Sequence, residues 1–121
     1  MPKLTTTREK LEKILADFKH ASDIEASAIV SREGLIMASD VPGSIHAESF
    51  AALSAAMLGA AEIATSELKN GVPYRVVVDF KGGKMITCGA GPKALLIVMT
   101  PPEVGLGLIL VEMGKAAEKM L

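Results

Sequence analysis

Glycine is followed by lysine twice in this sequence, at Gly83-Lys84 and Gly114-Lys115. That pair is the phosphate-holding end of a nucleotide-binding loop. The full loop also needs an earlier glycine, and a Ser or Thr directly after the lysine to ligate Mg²⁺. Val78 stands where the earlier glycine would be, Met85 follows Lys84, and Ala116 follows Lys115. Gly105-Leu106-Gly107 has Leu110 in place of the third glycine of a dinucleotide loop. Neither pattern is complete, so the expectation is a chain that carries no nucleotide of its own and needs no cofactor. His20 and His46 lie far apart with no Cys or His at metal-binding spacing. Both read as surface or helix-end histidines, and His20 suits the dipole at a helix C-terminus. Cys88, the only cysteine, reads as a small buried hydrophobe, since no His is near it in sequence to make it a nucleophile. The seven methionines are scattered, which suits an adaptable core better than a metal or peptide groove. No catalytic group emerges.

Composition narrows the classes further. Half of the 121 residues are hydrophobic and 22% are charged, which excludes a disordered chain. Thirteen basic against fourteen acidic residues give a net charge of -1, so no basic excess points to nucleic acid or to an anionic membrane. The start, MPKLTTTREKLEKIL, lacks the uninterrupted apolar core of a secretion signal. Ala94 to Val111 is apolar enough to raise a membrane question, but Pro101, Pro102 and Glu103 divide it into two short elements. The expectation is one cytoplasmic domain over residues 1–121, without direct membrane insertion.

The elements follow from periodicity and punctuation. Thr6 and Glu9 form a capping-box pattern, and Leu11, Ile14, Leu15 and Phe18 recur at helical spacing, giving a first helix over residues 6–21. Its charges read as a solvated face. Ala26–Ser31 and Leu35–Ser39 are strands joined at Arg32-Glu33-Gly34, with Arg32 and Glu33 as solvated turn residues. After Pro42-Gly43, Ser44 can cap one long helix that closes at Asn70-Gly71. Tyr74–Phe80, Met85–Ala90 and Ala94–Met99 read as three further strands, and Glu103–Met120 as a closing helix. LLIVM at 95–99 is apolar at every position, so that strand should be central with both faces covered. VPYRVVVDF alternates Arg75 and Asp79 against Tyr74, Val76, Val78 and Phe80, and its Pro73 suits a strand start at a sheet edge. A Val-rich edge is an aggregation hazard unless something pairs with it.

The long helix carries the main signal. On a wheel, Phe50, Leu53, Met57, Ala61, Ala64 and Leu68 form one stripe, expected to lie against the helix's own sheet. The opposite face holds Glu48, Ala52, Ala55, Ala56, Gly59, Glu62, Ile63, Ser66 and Lys69. It is small rather than charged. Either alanine serves there as the best helix former, or a second protein approaches closely over it, with Leu58 on the flank sealing the contact. Arg75 either pairs with an acidic group across such a contact or sits in solvent.

Together, LEKILADF, the hairpin ASAIVSREGLIMAS, the long helix AESFAALSAAMLGAAEIATSEL and the strands YRVVVDF, KMITCGA and ALLIVM resemble the roadblock (dynein light chain) domain, a relative of the longin and profilin-like folds. The resemblance runs from about Thr7 to Met120 and rests on element order and the "vs..G..ias" hairpin. It departs at EVGLGLILVEM, which is richer in Gly and apolar residues than the family's usual last helix. It implies an α/β (α+β) sandwich in the order α-β-β-α-β-β-β-α, with a mainly antiparallel five-stranded sheet and helices on both faces. It further implies a homodimer through the third strand and the long helix, here Leu58, Ala61, Thr65, Tyr74, Arg75, Val76, Val77 and Val78. Family members often bind Ras-like small GTPases, which makes Glu48, Ala52, Ala55, Gly59, Glu62 and Ser66 the expected partner platform. The function implied is a non-enzymatic regulator of a small GTPase. The alternatives are a scaffold subunit without effect on GTP turnover, or a small-molecule sensor.

Overall fold

A computed structural model describes residues 7–120. Helix α1 spans Thr7–Ala21, strands β1 and β2 span Ala26–Ser31 and Ile36–Asp40, and helix α2 spans Ala47–Leu68. Strands β3, β4 and β5 cover Arg75–Phe80, Gly83–Gly89 and Ala94–Thr100, and helix α3 covers Leu106–Lys119. The strands form one sheet in the order β2-β1-β5-β4-β3, and all four pairings are antiparallel. Element order and sheet agree with the expected α-β-β-α-β-β-β-α sandwich.

The alternation of each strand sorts its side chains between two layers. Ala26, Ala28 and Val30 of β1, with Leu95 and Ile97 of β5, pack against Phe50, Ala51, Ala55 and Leu58 of α2. Ile29, Leu96, Val98 and Ile86 face the other way, onto Leu11, Ile14, Leu15 and Phe18 of α1 and onto Ile109, Met113 and Ala116 of α3. The side chain of a central strand is thus covered whichever face it takes. This is why β5 has no polar alternation: Leu95 to Val98 are all at most 1% exposed. Strand β3 lies at the sheet edge, with Val76 on the α2 side and Val77 on the α1–α3 side.

Helix ends differ from expectation by a few residues. Ile45 N–H donates to Pro42 C=O at 3.0 Å, so residues 42–45 are spent on a turn and Ser44 cannot cap. His46 caps α2 instead, its Nδ1 accepting from the Ser49 N–H at 3.3 Å. Lys69 adopts the left-handed conformation (φ 58°) and ends the helix before Asn70. Residues 101–104 form a turn before α3, which begins at Leu106 behind Gly105. Thr6 lies outside the described residues, so only the Glu9 half of the capping box falls within α1.

Candidate functional site

The surface worth building from the residues upward is α2 and what borders it. The helix touches all five strands. Its buried residues are Phe50, Ala51, Ser54, Ala55 and Leu58. The expected inward stripe is therefore wrong by about a quarter turn of the helix. Leu53 is 65% exposed, Ile63 69% and Leu68 68%, and Ala56, Ala60 and Ala64 between them are exposed too. Leu53, Ile63 and Leu68 face out, while the small residues Ala51, Ser54 and Ala55 face in beside Phe50 and Leu58.

The β1–β2 turn supplies the reason. Gly34, at φ 90°, sits so close to α2 that a Cβ there would lie 3.1 Å from the Ala52 Cα and 3.5 Å from the Ala55 Cβ. Small residues do admit another backbone on this flank, but the backbone belongs to the chain's own hairpin. The hairpin is shaped for it, with Gly34 N–H donating to Ser31 C=O and Ser31 N–H to Leu35 C=O. Arg32, expected as a solvated turn residue, is instead an anchor. One guanidinium nitrogen donates to Glu62 Oε2 at 3.3 Å and the other to Gly91 C=O at 3.2 Å. Gly89 has no side chain where a Cβ would crowd that guanidinium at 3.1 Å. Three elements thus meet at one arginine, beside a cleft of about 430 Å³ that Leu58, Val72 and Tyr74 also line.

Each expected platform residue can now be placed. Ala55 is 8% exposed and lies in the core, and Ala52 abuts the hairpin tip. The Glu62 carboxylate is engaged by Arg32. Glu48 and Ser66 are exposed and Gly59 is half-buried, leaving these three on the accessible flank. Of the residues expected at a dimer contact, Leu58 is 2% exposed and is used up in the chain's own core, where it cannot seal a contact with a second copy. Ala61 and Thr65 are half-buried, and Thr65 Oγ1 donates to Glu62 C=O at 3.2 Å. Tyr74 is 82% exposed, Arg75 is exposed, and Val76, Val77 and Val78 are half-buried on the edge strand. Wheel reasoning places Ile63 on the outer face, as found, but misses that Leu53 and Ala60 are exposed with it as an outward ridge. The signal of that ridge was an apolar stripe with a small-residue flank beside it, and only the hairpin tip reveals which of the two faces in.

The reactive groups are quiet. Cys88 is half-buried on β4, and burial raises its thiol pKa above the ordinary value, against a smaller opposing effect of the Arg75 charge. Among the described residues no three His, Cys, Asp or Glu side chains come together as metal ligands. Gly83-Lys84 opens β4 in a hairpin, and Gly114-Lys115 lies within α3, so neither stands at a strand-to-helix turn. Helix α2 is long and apolar enough to cross a membrane by composition, but here its apolar length is divided between the sheet and the outer ridge. What the arrangement offers is an edge strand with no neighbour on its outer side among the described residues, and exposed apolar side chains along α2.

A sequence-family model described as Roadblock/LC7 domain matches residues 10–100. The uncharacterized protein MJ1340 of Methanocaldococcus jannaschii is 34% identical over 110 residues, which is 91% of this chain and 96% of that protein. Among solved structures, Myxococcus xanthus MglB superposes with a TM-score of 0.88 at 15% identity, over 99% of this chain and 91% of MglB. A second structure, described as MglB with tetrameric arrangement, gives 0.85 at 17% identity over 98% and 90%. At such identities the structural likeness is one of fold.

Proposed function

Because the chain belongs to the Roadblock/LC7 domain family, we propose that it is a non-enzymatic homodimeric adaptor that binds a Ras-like small GTPase and adjusts its nucleotide cycle or location. Family membership and the MglB-like fold support the coarser part, a regulatory adaptor. The observation that carries the finer part is the combination of a β3 edge unpaired among the described residues with exposed large apolar side chains on α2 and in the segment between α2 and β3: Leu53, Ile63, Leu68, Val72 and Tyr74. A monomer rarely leaves such a patch facing water. The description of one MglB structure as tetrameric agrees with self-association as a habit of this fold.

In this reading two copies join along β3, and their α2 ridges present a broad apolar surface of low charge. A GTPase would sit on that surface, with Glu48, Gly59 and Ser66 on its accessible flank. The contribution is positioning.

The test uses pull-down of a small GTPase in its GDP and GTP-analogue states, with GTP hydrolysis and exchange followed in parallel. Ile63→Glu and Ala60→Arg change exposed residues, so folding should persist while binding falls at least tenfold. Ala55→Arg is the wrong probe, because Ala55 is buried. Binding that survives both variants refutes the platform. Binding without any change in hydrolysis or exchange favours a scaffold subunit instead.

A further inference from the structure

Within the β3-paired homodimer that the family resemblance implies, we propose that the two-fold axis passes through Val77, so that Arg75 of each copy faces Asp79 of the other. This rests on the homodimer reading above and specifies its register and its selectivity. Among the described residues strand β3 is hydrogen-bonded only to β4, so its outer row of backbone groups has no strand partner there. An antiparallel pair related by a two-fold axis through the sheet keeps each residue on its own face. Opposed residues must therefore share a face, and the axis must pass through a residue rather than between two.

Three axes are then available along the Val-rich centre. Through Val76, Arg75 faces Val77 and Asp79 faces Pro73. Through Val78, Arg75 faces Lys81, a like-charge pair, and Asp79 faces Val77. Through Val77, Arg75 faces Asp79 twice, Val76 faces Val78 twice, Val77 meets itself, and the register extends to Tyr74 opposite Phe80. Only the last axis matches charge with charge and aromatic with aromatic, the cross-strand pairs that stabilise sheets. The stretch Tyr-Arg-Val-Val-Val-Asp-Phe is palindromic in chemistry about Val77.

The side chains are available for it. Arg75 is exposed, and no ion pair is formed by it among the described residues. The Asp79 side chain is 75% exposed. Its neighbour Lys84 Nζ is 3.8 Å away and already donates to Pro102 C=O at 2.6 Å. Tyr74 and Phe80 are 82% and 43% exposed.

The test is sedimentation of the full chain with charge-reversed variants. Arg75→Glu places Glu against Asp79 twice, and Asp79→Lys places Lys against Arg75 twice. Each should raise the dimer dissociation constant by about tenfold or more. Mixing the two variants restores both opposite-charge pairs, so a mixed dimer should form at close to wild-type affinity. Cysteine at the axis gives a second readout: in a Cys88→Ser background, Val77→Cys should oxidise to a self-cross-link faster than Val76→Cys or Val78→Cys. Unchanged affinity in the single variants, no preference for the mixed dimer, or faster cross-linking at 76 or 78 overturns the register. Wild-type protein that stays monomeric at hundreds of micromolar overturns the homodimer reading itself, whereas a dimer indifferent to the charge swaps overturns only the register.

Discussion

Leu53 and Leu58 lie on one helix, five residues apart, and their truncation to alanine tests the orientation of α2 directly. Leu58 is 2% exposed and packs with Ala28, Val30 and Ile97. Removing a fully buried leucine side chain costs about 2–5 kcal/mol, combining lost transfer energy with the cavity left behind. Leu53 is 65% exposed. About a third of its apolar surface is removed from water, so its truncation should cost about 0.5–1 kcal/mol. At about 4 °C per kcal/mol for a domain of this size, Leu58→Ala should lower Tm by about 8–20 °C and Leu53→Ala by no more than about 4 °C. Urea unfolding at submicromolar protein, which minimises association, gives the cleanest comparison. A repeat at high concentration should add to the loss at Leu53 if the outer ridge is covered in a dimer. Equal or larger destabilisation by Leu53→Ala at both concentrations would refute the orientation and return the helix to the stripe that hydrophobic size alone suggests.

Four further outcomes follow from local geometry. Gly34→Val should destabilise by about 1–3 kcal/mol in urea unfolding, since it combines φ 90° with a Cβ 3.1 Å from the Ala52 backbone, while Gly43→Val, which meets nothing within 4 Å, should cost far less. The Arg32–Glu62 pair is about one-third exposed on each side, so a double-mutant cycle of Arg32→Met and Glu62→Gln should return a coupling of no more than about 1 kcal/mol that falls with added salt. Because burial raises the Cys88 thiol above its ordinary 9.0, iodoacetamide should alkylate it more slowly at pH 8 than it alkylates a free cysteine. With the folded value above the unfolded one, the Cys88 contribution to stability should be present below pH 9 and decline above it, so Cys88→Ala should flatten the alkaline side of the stability profile.

Strand chemistry was the most legible part of the sequence. Four consecutive apolar residues from Leu95 required cover on both faces, and β5 has it. Pro73 and the alternation after it placed β3 at an edge. Family resemblance then supplied the topology that composition could not. The rotation of α2 was hidden because a helical wheel ranks faces by side-chain size, whereas the sheet and the Gly34 turn together demand close approach. Leu53 and Leu68 read as core, and the actual core side is built on Phe50, Ala51, Ser54, Ala55 and Leu58. Arg32 was equally hidden. Its partners, Glu62 and Gly91, are 30 and 59 residues away in the chain, and a charged residue in a hairpin turn carries no local sign of them. The same two misplacements moved the platform: Ala55 and Glu62 serve the fold, and the accessible surface lies toward Leu53, Ala60 and Ile63.

The strand order has a kinetic meaning. Each of β1–β2, β3–β4 and β4–β5 joins neighbours in the chain, while β1–β5 brings Ser27 opposite Val98, roughly seventy residues apart. Closing a loop of that size costs about 4 kcal/mol of chain entropy. The topology therefore predicts that the zip through the middle of the sheet, between an N-terminal half ending in α2 and a C-terminal half that starts at β3, comes late in folding. Until it closes, β1 and β5, the most apolar strands, are both bare edges. A newly made chain is exposed to mispairing through these two strands before release, and the risk ends only when the C-terminal strand arrives.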